Sequence, residues 1–169
     1  MDELDDLDHR ILSALHARGA DPRVARVARA LSWAGEHGAL WLAGGIVGAA
    51  VDGARRGAWL RATALTAGAH AASIGVKRVV RRPRPAHVEH LVRTAGRHSF
   101  PSSHATSAAA AAVAYGALGV HAAAPLAAAM CLSRLVAGVH HPSDVAAGAA
   151  LGAVTARWGA RWMREGHHG

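Results

Sequence analysis

Three short stretches, far apart in the chain, carry side chains able to move a phosphoryl group. In the first, Lys77 is followed seven positions later by Arg84-Pro85. The second is Pro101-Ser102-Ser103-His104, opening an Ala-rich segment, and the third joins Ser133-Arg134 to His140 and Asp144 across Pro142. Lys77, Arg84 and Arg134 offer three cations for the equatorial oxygens of a phosphoryl transition state, which is most of what that state requires. Ser102 precedes a helix whose first backbone N–H groups have no intrahelical partner, a ready seat for an anion. His140 and Asp144 are four residues apart, so a helical turn lets the carboxylate orient one imidazole nitrogen and leaves the other to attack phosphorus. His104 is then the spare imidazole, placed to protonate the leaving oxygen, and an ordinary pKa near ~6.5 suits it to that work around neutrality.

The pattern K-x6-RP, PS-x-H, SR-x5-H-x3-D resembles the three-part signature of the type 2 phosphatidic acid phosphatase (PAP2) superfamily, which includes lipid phosphatases, bacterial acid phosphatases and vanadium haloperoxidases. The match runs over residues 77–144, with all three parts in the family's order and spacing. The resemblance implies His140 as the nucleophile that forms a phosphohistidine, with Asp144 as its orienting partner. It implies His104 as the acid for the leaving group and then the base that activates water. Lys77, Arg84, Ser102 and Arg134 correspond to phosphate ligands, and the family needs no metal and no cofactor. Ser103 stands where the family usually has Gly. Glycine lets the backbone approach the phosphate closely; serine keeps the N–H and adds a hydroxyl donor, so Ser103 is counted with the substrate-binding residues. Arg82-Pro83 repeats the Arg-Pro pair two residues early. Spacing assigns the phosphate to Arg84 and an outer-shell role to Arg82.

Within the family, the small size, the acidic amphipathic N-terminus and the stretch Ser99–Ser107 look most like the polyprenyl-phosphate-sugar phosphatases. That likeness implies removal of the 5-phosphate from decaprenylphosphoryl-phosphoribose, a lipid-linked phosphate monoester. Undecaprenyl-diphosphate or phosphatidylglycerophosphate and phosphatidic acid hydrolysis by the same machinery is the alternative. A rival of another class is a non-catalytic membrane protein that binds anionic lipid, but such binding requires cations and no paired imidazoles.

The elements that must position these groups are helical. A chain of 169 residues is one domain, and its apolar weight lies in Ala and Gly, which argues against an all-β fold and against disorder. The single cysteine, Cys131, sits in an apolar run and reads as a small buried hydrophobe. Weakly apolar segments at 38–53, 58–76, 104–120, 122–139 and 143–160 approach the ~20 residues that cross a bilayer. Their small residues permit close helix contact, and Trp41, Trp59, Trp158 and Trp162 fall near segment ends, as in an interfacial belt. The expectation is an all-α, integral membrane bundle of about five core helices in the cell membrane, multi-pass, over residues 38–165. N-terminal amphipathic helices precede it over 1–37, and 166–169 form a tail. In the first, Leu4, Leu7, Ile11, Leu12 and Leu15 recur at helical spacing. In the second, Asp21-Pro22 caps a helix with Val24, Val27, Ala28 and Leu31 on one side. Lying in a membrane interface and packing on a soluble core explain both helices equally.

Net charge is +8 with 19 Lys and Arg against 11 acids. Nucleic acid, anionic lipid and a phosphorylated small molecule all suit such a balance. The basic stretch 77–103 contains Pro83, Pro85 and Pro101, so it reads as a loop with short helical pieces. Phe100 is its only aromatic residue and no recognition fold flanks it, which argues against nucleic acid. His141 reads as a neighbour of His140, and His87, His90 and His98 as solvated loop histidines. A zinc site from His140, His141 and Asp144 would lack further ligands at metal spacing and would leave the cations unexplained.

Overall fold

The computed structural model describes residues 2–94 and 96–165, and the expected tail at 166–169 lies outside them. Seven α-helices follow one another: α1 (Asp2–His16), α2 (Pro22–Ala34), α3 (Ala39–Val51), α4 (Arg56–Val80), α5 (Ser103–Gly116), α6 (Ala123–Val136) and α7 (Pro142–Glu165). Single 3-10 turns link the first four. Among the described residues there is no strand, only one isolated bridge between Pro83 and His98. The five expected segments thus correspond to α3–α7. The basic stretch differs: α4 runs through Lys77 to Val80, and the described residues from 81 to 102 hold no helical piece. Pro83 and Pro85 bar a helix at the start of the stretch and Pro101 at its end.

α5 is the axis of the bundle. Its Ala105, Ala108, Ala110, Ala111 and Ala114 are buried, because methyl-sized side chains let α4, α6 and α7 close around it. Trp41 and Trp59 are core residues at 4% and 8% exposure, not members of an interfacial belt. Trp59 packs against Tyr115 at 5.5 Å between ring centroids, and the Tyr115 hydroxyl donates to the Trp41 carbonyl at 2.8 Å. Both rings fill space that the alanines leave. Trp158 does face outward, and Trp162 lies outside the described side chains.

α1 and α2 pack on this bundle, and the face they bury corrects the expectation. In α2 the inward residues are Ala25, Ala28 and Ser32, while Val24 and Val27 point out. Small residues permit close approach, and the larger valines are left on the outside. In α1, Leu12 is fully buried beside Ala105, Leu135 and Val145, and Leu4, Leu7 and Ile11 are exposed. Apolar residues also cover the outside of α3, α4, α6 and α7, among them Val47, Val51, Val79 and Leu132. Yet among the described residues no helix is long and apolar enough to cross a membrane. α3, α5 and α6 have only 13 or 14 residues, short of the ~20 that cross a bilayer.

α5 and α7 touch most closely at Gly152, where an added Cβ would stand 2.0 Å from the Thr106 carbonyl oxygen. That neighbour is backbone and has no rotamer to escape into. Gly152→Ala is therefore expected to lose about 1–3 kcal/mol of stability, read as a lowered melting temperature. Phosphate release should fall with it, because α5 carries His104 and α7 carries Asp144.

Candidate active site

Each motif sits where an element ends. Lys77 is in the last turn of α4, which stops when Arg81 takes a left-handed conformation (φ 53°) and returns its N–H to the Lys77 carbonyl at 3.2 Å. Arg84 lies on the following loop. Ser103 and His104 occupy the first turn of α5 and Arg134 the last turn of α6. His140 is on the short α6–α7 connection, which turns at Gly138 (φ 73°), where an added Cβ would crowd the Glu89 carbonyl at 3.0 Å. Asp144 stands in the first turn of α7. Lys77, Arg84, Ser103, His104, Arg134 and His140 all line one cavity of about 400 Å³, the size of a small-molecule site.

Ser102 and Asp144 do not line the cavity; both are fully buried behind it. Ser102 is the N-cap of α5, its hydroxyl facing Ala105 N at 3.5 Å, and its N–H donates to the Asp144 carbonyl at 3.0 Å. It joins the ends of α5 and α7. The Ser103 hydroxyl lies 2.8 Å from that of Ser73 on α4, so the side chain that replaces the usual glycine is tied to the wall.

Asp144 Oδ2 is 3.6 Å from His140 Nδ1, an electrostatic contact too long for a hydrogen bond. His140 Nε2 is 3.4 Å from Arg84 Nη1. A guanidinium only donates, so Nε2 is the acceptor and the ring proton sits on Nδ1, facing the carboxylate. Burial drives the His140 imidazole down to about 3; Asp144 pulls upward, while Arg134, Arg84 and Lys77 push it lower. The ring is neutral near pH 7, with its lone pair directed at the cavity side. Arg84 is itself held by the Val139 carbonyl at 2.7 Å and the Gly96 carbonyl at 2.9 Å. Lys77 Nζ reaches the His98 carbonyl at 3.4 Å.

His104 and Arg134 share an anchor that the motifs do not contain. His104 Nε2 is 3.1 Å from the Ser32 carbonyl, and Arg134 Nη1 donates to the Ser32 hydroxyl. A carbonyl only accepts, so His104 carries its fixed proton on Nε2, and Nδ1 is the nitrogen free to gain or lose one. The two imidazoles therefore hold opposite tautomers. Behind His104, a Cβ on Gly35 would meet its Cδ2 at 2.7 Å. Gly35→Ala must push the ring, and kcat is expected to fall about ten- to a hundredfold with KM little changed, by steady-state phosphate release.

The structure separates the two Arg-Pro pairs as spacing suggested. Arg84 faces the cavity; Arg82 turns away to Ser143 Oγ at 2.6 Å, Asp144 Oδ1 at 3.1 Å and Asp8 Oδ2 at 3.0 Å. His141 is outside the cavity. Its N–H donates to Asp144 Oδ2 at 2.8 Å and its ring stacks on His9 at 6.1 Å. His87 rests 4.3 Å from His9, and His90 Nε2 meets the Pro85 carbonyl at 2.8 Å. His98, expected in solvent, lines the cavity with His70, His37 and Arg97. Glu36 is the one carboxylate among the described lining residues. Among the described residues no group of three or more His, Cys, Asp or Glu is arranged to hold a metal ion. No local motif marks Asp8, Ser32 or Ser143, whose contacts with Ser143, His104 and Arg134, and Asp8 span 72 to 135 positions.

The family model described as the PAP2 superfamily matches residues 58–167. A decaprenylphosphoryl-5-phosphoribose phosphatase of Mycolicibacterium smegmatis is 47% identical over 144 residues, covering 83% of this chain and 80% of that one. A protein of the same name from Mycobacterium tuberculosis is 47% identical over 135 residues, covering 78% and 76%. Among solved structures, a transmembrane PAP2 type phosphatidylglycerolphosphate phosphatase from Bacillus subtilis superposes with a TM-score of 0.65 at 20% identity, over 96% of this chain and 95% of that one.

Proposed function

Because the chain belongs to the PAP2 superfamily, we propose that it removes the terminal phosphate from a lipid-linked sugar phosphate of the kind its relatives are named for, decaprenylphosphoryl-5-phosphoribose. It is a phosphatase of that family, and the reaction we assign to it proceeds through phosphohistidine. The observation that carries this reading is the pair of imidazoles with opposite tautomers on one cationic cavity. His140 Nε2 attacks phosphorus, and the P–O bond to the sugar breaks as a proton brought in on the substrate's phosphate monoanion passes through His104 Nδ1 to the leaving oxygen. His104 then takes a proton from water, whose oxygen attacks the phosphohistidine and releases inorganic phosphate and free His140. Lys77, Arg84 and Arg134 hold the charge that builds on the equatorial oxygens.

The cavity has room for a phosphorylated head group and not for a tail of ten prenyl units, so the tail stays outside. We place it in the cell membrane, with the bundle as a multi-pass protein. What supports this is the apolar outer surface of the helices, where Val47, Val51, Val79 and Leu132 are exposed, around one cavity lined by charged groups.

The test is phosphate release by the detergent-purified protein from polyprenylphosphoryl-5-phosphoribose, undecaprenyl diphosphate, phosphatidylglycerophosphate and phosphatidic acid. The first should be preferred, activity should persist in chelator, and vanadate, which mimics five-coordinate phosphorus, should inhibit. Preference for a phospholipid would move the substrate assignment, and abolition by chelator would overturn the mechanism.

A further inference from the structure

An acid on the first helix is built into the far side of the site. Asp8 is only 5% exposed, which a carboxylate tolerates when its lone pairs are filled. Asp8 Oδ1 accepts the Ser143 N–H at 2.9 Å; Oδ2 accepts Arg82 Nη2 at 3.0 Å and the Ser143 hydroxyl. Arg82 Nη1 then spans Ser143 Oγ and Asp144 Oδ1. The chain of contacts runs Asp8, Arg82 and Ser143, Asp144, His140, and the last two are the pair our mechanism uses.

We propose that Asp8 is a positioning residue for the reaction: acting through Arg82 and Ser143, it fixes the Asp144 carboxylate against His140, so that helix α1 completes the catalytic site. The logic is a division of one guanidinium between two carboxylates. Arg82 alone on Asp144 would draw the carboxylate toward itself and weaken its hold on the Nδ1 proton of His140. Asp8 takes one side of the fork and orients the planar group, so that Oδ1 of Asp144 is anchored on Arg82 while Oδ2, held by the His141 N–H, faces His140. The Ser143 N–H bond ties the same acid to the first turn of α7, where Asp144 sits. Asp5 also touches Arg82, at 3.2 Å, but it is more than half exposed, and exposed pairs contribute little.

The inference rests on the phosphohistidine reading, and the experiment separates the two. Asp8→Asn, Asp5→Asn, Arg82→Gln, the double variant Asp8→Asn with Arg82→Gln, and His140→Ala are assayed on polyprenylphosphoryl-5-phosphoribose. A melting curve accompanies each rate, so a partly unfolded sample does not count as a slow one. Asp8→Asn should lower kcat about a hundredfold, the scale of a small misplacement of a reacting group, with KM within about twofold of the wild type. Asp5→Asn should stay within about threefold. If Asp8 acts through Arg82, the double variant is no slower than Arg82→Gln alone. Wild-type kcat in Asp8→Asn, or additive losses in the double variant, overturns the role of Asp8 while an inactive His140→Ala leaves the mechanism standing. An active His140→Ala sinks both.

Discussion

His140→Ala is expected to lower phosphate release by about 10⁴-fold or more, the scale seen when a covalent nucleophile is deleted from an otherwise intact site. The fold should survive it. Asp144 keeps Arg82 on one oxygen and the His141 N–H on the other, so truncation of the ring leaves no unpaired buried charge. Arg84 keeps the Val139 and Gly96 carbonyls. Substrate should still bind, because Lys77, Arg84 and Arg134 remain. The measurement is twofold: turnover by phosphate release, and acid-labile label retained on the protein after quenching with ³²P-substrate. Wild type should carry label and the variant none. Label that persists in His140→Ala would mean that another group takes the phosphoryl.

His104→Ala should cost about 10²–10⁴-fold on an alkyl phosphate such as the sugar substrate, the range for a general acid–base group. The informative result is its dependence on the leaving group. A p-nitrophenolate leaves without a proton, so the first half of the reaction no longer needs His104. Hydrolysis of the phosphohistidine still does, because water must lose a proton there. With p-nitrophenyl phosphate the variant should give a burst of at most one nitrophenolate per site, then slow turnover, with label accumulating on His140. Equal deficits for both substrates and no burst would contradict the assignment. His104 also anchors on Ser32, so a melting curve should accompany the kinetics; a lost contact of this kind costs about 1 kcal/mol and does not alter leaving-group dependence.

The chemistry was readable in the sequence because a phosphoryl site needs few residue types at tight local spacing, and each motif falls within one element end. K-x6-RP, PS-x-H and SR-x5-H-x3-D named five residues that the fold brings to one cavity, with Ser103 beside them, and the segment pattern anticipated α3–α7. What escaped had physical reasons. Periodicity in α2 marks Val24, Val27, Ala28 and Leu31; Ala28 is buried and Leu31 packs on the core, but Val24 and Val27 point out and Ala25 and Ser32 are buried instead, since close approach selects small residues. The same reversal put Trp41 and Trp59 inside, where Ala-rich neighbours leave a volume that only an indole fills. Ser102 looked like a phosphate ligand from its place before a helix, and its fully buried hydroxyl acts as a cap. Asp8 meets Ser143 across 135 positions, and nothing in the local sequence of either announces the other.

Ser32 holds two working parts with one residue, its carbonyl on the imidazole of His104 and its hydroxyl on the guanidinium of Arg134. All three signature motifs lie after position 58, where the family match begins, so a chain trimmed to that boundary would look complete by inspection. It would nevertheless arrive without the residue that holds both the His104 imidazole and the Arg134 guanidinium. Any minimal version intended for crystallisation or screening therefore has to reach well upstream of the recognisable signature, through α2 for Ser32 and, on the role proposed for Asp8, through α1.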